Sequence, residues 1–99
     1  MTQATTVTGI IEATATAFGV SARDLLSTRR VSSLVSARHA AMWLARKLTT
    51  HGYLGLGRAF RRDHTTVMYG VTRAEQRMVD DAAFASRVQT LEATIGRAR

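Results

Sequence analysis

The sequence predicts an all-α fold, a small helical bundle, on three observations. No proline occurs in its 99 residues, so no position is barred from a helix interior for want of an N–H. Apolar residues recur every three or four positions rather than in alternation, which is the helical period. No internal repeat or low-complexity linker divides the chain, and its length supports one modest core.

After a flexible lead of residues 1–6, the first helix is predicted from Val7 to Phe18, with Gly19 ending it at a position that favours glycine. Ser21 to Asp24 has the form of a cap, the serine oxygen taking an orphan N–H and Asp24 lying near the positive end of a short helix with Leu25 and Leu26. Residues Ser27 to Leu34, STRRVSSL, break the pattern and read as a loop holding two adjacent arginines. Ser36 is expected to cap the next helix, where Ala37, Ala40, Ala41, Leu44, Ala45 and Leu48 form one apolar stripe of the small-residue kind that lets helices pack closely. Arg38, Arg46 and Lys47 fall off that stripe. Thr49 to Gly52 closes it, and Leu54, Leu56, Ala59 and Phe60 mark a short helix. From Asp63 onward Val67, Val71, Ala74 and Met78 share one face of a helix running to about Val79. Within the remaining residues, 80–99, an additional helix from Ala82 to Ile95 repeats the spacing with Phe84, Val88, Leu91 and Ile95. That stripe most simply packs on the same domain, with a dimer seam as the sharper alternative.

Charge narrows the function. The chain carries a formal +7, and between Arg23 and Arg62 nine basic residues face a single acid, Asp24. Such a footprint suits a polyanion, and thirteen arginines to one lysine favour nucleic acid, because the planar guanidinium fits phosphates and base edges. A membrane surface is the second choice, but no apolar run is long enough to span one. The absence of cysteine excludes disulfides and thiolate metal sites, and with no secretion signal the expected location is the cytoplasm, at the nucleoid. His39, His51 and His64 lack zinc spacing, so no metal or other cofactor is expected. Asp63 and His64 diverge by about 100° around a helix and do not converge on one substrate atom, so no enzyme is expected.

A short helix, a tight turn and a longer helix with a polar first turn is the plan of a helix-turn-helix, whose second helix meets base edges with its first few side chains. The run RRDHTTV stands at that point. Asp63 is a natural N-cap, and in a major groove its carboxylate would accept from cytosine N4. His64 suits a base or a phosphate, and Thr65 and Thr66 offer hydroxyls and methyls. Their plainer reading is an ordinary first turn at the helix surface.

The run RDHTTV, with the preceding GRAF and the upstream LLSTRR, closely resembles the C-terminal DNA-binding domain (domain IV) of DnaA, the bacterial chromosomal replication initiator, over roughly Val7 to Val79. The resemblance implies a helix-turn-helix beside a basic loop. It implies base contacts by Asp63, His64, Thr65 and Thr66 in the major groove and by Arg30 in the minor groove, where narrow A·T-rich tracts attract arginine. It implies phosphate contacts by Arg29, Arg38, Arg46, Lys47 and Arg62. Sequence-specific binding of double-stranded DNA at DnaA-box-like sites follows, in replication-initiation control or transcription regulation, most simply as a monomer. The other class of function is docking of the basic face on an acidic protein.

The chain also departs from the family. Ser32 and Ser36 stand where arginines are usual, and Ala37 stands where proline starts the helix. If both missing arginines touch phosphate, the salt dependence of binding falls by roughly 0.9 for each. Gly52, Leu54 and Gly55 replace a serine, proline and glutamate, leaving the first turn of the short helix weakly held. The initiator's phosphate loop, G-x-x-x-x-G-K-[ST], has no counterpart in this sequence, since GYLGLG is followed by neither Lys-Ser nor Lys-Thr. ATP hydrolysis is therefore not expected. The opening Met and the lead MTQATT point to a stand-alone small protein rather than a fragment.

Overall fold

A computed structural model describes residues 5–97, which form six helices: α1 (Val7–Ala17), α2 (Ala22–Leu26), α3 (Ser32–Leu48), α4 (Tyr53–Phe60), α5 (His64–Asp80) and α6 (Ala82–Arg97). Most of the anticipated lead, residues 1–4, lies outside the described residues. Thr6 caps α1, its side chain accepting from the Gly9 N–H at 3.0 Å. Gly19 takes the left-handed conformation (φ 69°) that turns the chain after α1. Ser21 caps α2 as anticipated, accepting from the Asp24 N–H at 3.0 Å.

α3 starts earlier than the sequence reading placed it. It begins at Ser32 rather than after Ser36, and the basic loop shrinks accordingly. The reason lies in the missing proline. A proline at position 37 would disfavour helical backbone at position 36 and clash with a carbonyl one turn back. Ala37 does neither, so the helix continues through it. Ser36 is consequently no cap. It is buried mid-helix and accepts a 2.7 Å bond from Arg77 Nη1 of α5.

α3 packs against each of the other five helices. Ala37, Ala40, Ala41 and Ala45 are fully buried along it, and with so little side chain to separate them the neighbouring helices approach closely. Ile10, Leu25, Met42, Leu44, Leu56, Phe60, Val67 and Val88 complete one core fed by all six helices. The buried Thr14 is satisfied by donating to the Ile10 carbonyl at 2.7 Å. Phe84, Val88 and Leu91 of α6 are buried in this same core, and Phe84 meets Phe18 edge-on at 6.1 Å. The α6 stripe is thus used within the chain.

Candidate nucleic-acid interface

Two helices and the turn between them form the centre of the site. α4 begins after Gly52, which supplies no side-chain cap, as the sequence implied. It ends at Arg61, which adopts the left-handed region (φ 60°, ψ 41°). Gly57 makes the sharp approach of α5 possible: a Cβ there would lie 2.8 Å from the Arg62 carbonyl and 3.2 Å from the His64 nitrogen. Phe60 is buried beneath the turn, and Val67, Val71 and Ala74 bury the inner face of α5. The opposite face is left to solvent.

Asp63 is the N-cap of α5. Its Oδ2 accepts from the Thr65 N–H at 3.0 Å and from the Thr65 hydroxyl, and lies 3.9 Å from His64 Nδ1. Those two bonds from Thr65 hold the Asp63 carboxyl below its ordinary pKa, so it is ionised at neutral pH. One carboxylate oxygen is thereby committed to the helix. The Thr65 proton is committed too, leaving its methyl and lone pairs for a ligand. Asp63, Thr65 and Thr66 are exposed, and His64 is half-buried.

The basic loop is held by Arg38 and Arg62, two arginines for which the family resemblance implies phosphate contacts. Arg38 is only 7% exposed. Its guanidinium donates to the carbonyls of Leu25 (2.7 Å), Ser27 (2.8 Å), Arg29 (3.2 Å) and Asp24 (3.4 Å). Burial, followed by the nearby charges of Arg62 and Arg30, lowers its pKa, which favours acceptors inside the protein over leaving the group unpaired. Here Arg38 departs from the expected surface position: the carbonyl ends of α2 and the loop take its donors. Arg62 is half-buried and donates to the carbonyls of Leu26 (3.2 Å), Phe60 (3.3 Å) and Ser27. The Ser27 carbonyl thus receives both arginines, which tie the loop to α3 on one side and to the turn on the other.

That tie sets the loop beside α5. A cleft of about 340 Å³ runs between them, with Thr28 and Arg30 on the loop side, Thr66 and Tyr69 on the α5 side, and Arg38, His39 and Arg62 among the residues beneath. Arg30 is exposed. Tyr69 is 61% exposed and meets His39 edge-on at 6.1 Å. Burial first, and then Arg73, Arg38 and Arg77, push His39 down to about 4, so it is neutral at pH 7. Thr28, His39 and Tyr69 were missed in the sequence, although Tyr69, three residues after Thr66, shares its helix face by spacing alone.

The remaining cations differ in use. Arg29 is exposed and pairs with Asp24 at 3.5 Å. Arg46 is exposed and stacks over Tyr53 at 4.7 Å, at the corner between α3 and α4. Lys47 turns toward α6, pairing with Glu92 at 3.1 Å and lying 5.0 Å from the Trp43 ring. Among the described residues no three His, Cys, Asp or Glu side chains cluster as metal ligands, and no helix is long and apolar enough to cross a membrane.

A short helix, a left-handed turn and a long helix with a solvent-facing polar first turn, set beside a basic loop, define a helix-turn-helix DNA-binding domain. Comparison with known proteins gives the family: residues 7–74 match the bacterial dnaA protein helix-turn-helix, and the chain belongs to that family. It is 44% identical over 87 residues to the chromosomal replication initiator protein DnaA of Caulobacter vibrioides strain NA1000 / CB15N, covering 87% of this chain and 18% of that protein. It is 41% identical over 88 residues to DnaA of Bartonella quintana, covering 88% of this chain and 18% of the relative. With DnaA 2 of Chlamydia muridarum identity is 35% over 86 residues, 87% of this chain and 19% of the relative. The chain therefore spans about a fifth of the length of these relatives.

Proposed function

We propose that this domain binds double-stranded DNA sequence-specifically at DnaA-box-like sites, as a monomer and without ATP hydrolysis, in replication-initiation control or transcription regulation. The carrying observation is that Thr66, in the exposed first turn of α5, and the exposed Arg30 line opposite sides of one cleft. A helix in a major groove and a loop in the adjacent minor groove are separated by one sugar-phosphate strand. The cleft between Arg30 and Thr66 is where that strand would run. Asp63, His64, Thr65 and Thr66 then face bases, Arg30 enters the minor groove, and Arg29 and Arg46 meet phosphates. Arg38 and Arg62 act mainly by fixing the loop, and Lys47 by holding α6.

A fluorescence-anisotropy titration tests the reading, with a box-containing duplex, a scrambled duplex and an unrelated acidic protein. Preference for the box is expected. Equal affinity for both duplexes, or preference for the acidic protein, contradicts it.

A further inference from the structure

We infer that Arg61, with Arg58, forms a second phosphate clamp on the side of α5 away from the basic loop. The inference rests on the major-groove reading above. A helix lying in that groove is bounded by two sugar-phosphate strands, one on each side. One of them is accounted for by the cleft between the loop and α5. On the other side of the α5 start, Asp63 and His64 share a second, shallower depression with Leu54, Gly57, Arg58, Arg61 and Arg62. Arg58 and Arg61 are its exposed cations, Arg62 being half-buried.

Arg61 has a feature that points outward from the protein. Among the described residues it is the one non-glycine with positive φ. A left-handed residue closing a helix is ordinarily glycine, which adopts that conformation without the crowding of a Cβ. Keeping a long cationic side chain there costs backbone strain. Nothing inside the fold returns that cost: among the described residues the Arg61 guanidinium makes no hydrogen bond or ion pair, and its main chain alone is used, the N–H donating to the Arg58 carbonyl at 3.2 Å. Strain retained at an exposed turn next to a recognition surface is a sign of use by a ligand. Here the ligand is a duplex phosphate, because the depression is bordered by two exposed guanidiniums, whose planar forks suit phosphate oxygens.

The test is an Arg61→Gly substitution, read by thermal melting and by duplex affinity across a salt series. Gly relieves the strain, so the melting temperature is expected to hold or rise. Affinity is expected to fall on box and scrambled duplexes alike, and the slope of log K against log salt to shrink by about 0.9, one phosphate contact. Arg61→Lys should keep the slope, Arg61→Asn should lose it, and adding Arg58→Ala should remove about 0.9 more. An unchanged slope in Arg61→Gly, with box preference intact in the unsubstituted chain, overturns this inference alone. Absence of box preference in the unsubstituted chain overturns the reading beneath it, and this inference with it.

Discussion

Asp63 is asked to do two things, and substitutions separate them. Asparagine caps helices about as well as aspartate, so Asp63→Asn should leave the melting temperature close to that of the parent while altering which base is preferred opposite it. Affinity measured on duplexes varied at single positions checks this, and an unchanged preference would reduce Asp63 to a cap. His64→Ala should cost about 1–3 kcal/mol on the box and little on scrambled DNA, whereas Arg46→Ala should weaken both alike. His39 gives the domain a pH signature. It is held near 4 in the folded chain against an ordinary 6.5, so folding binds fewer protons at this site than unfolding does. The stability linked to its neutrality is fully present above about pH 6.5 and is lost as pH falls through the window toward 4. Urea unfolding across that range should show a declining midpoint, flattened in His39→Gln.

Helix identity could be read from spacing because each helix commits one face to the core, and burial of Val67, Val71 and Ala74 or of Phe84, Val88 and Leu91 follows directly from that pattern. The start of α3 and the fate of Arg38 could not. Where α3 begins depends on the absence of a proline at position 37, which spacing alone does not translate into a helix start. Arg38 looked like a surface charge because its acceptors, the carbonyls of residues 24–29, become its neighbours only after α2 folds against α3. Leaving the Leu25 and Arg29 carbonyls without their donor should cost about 2–3 kcal/mol in Arg38→Met, with amide exchange in the loop speeding up more than exchange in α6. Gly57→Ala acts on a different junction. Because its Cβ would meet backbone rather than a flexible side chain, it should destabilise by about 1–3 kcal/mol and pry α4 from α5.

The described residues measure 38 × 29 × 23 Å, so one copy covers about one turn of duplex, whose length is about 34–36 Å. That span suits a single asymmetric site, and with the α6 stripe already buried in its own core, sedimentation should find a monomer both free and at one copy per box. The proposed recognition depends on the loop and the first turn of α5 gripping the same strand from its two grooves. Backbone amide NMR during titration with a box-containing duplex tests that most directly. The amides of residues 28–31 and 63–66 are expected to shift together, saturating at one protein per duplex. Shifts confined to one of the two segments, or centred on α6, would contradict it.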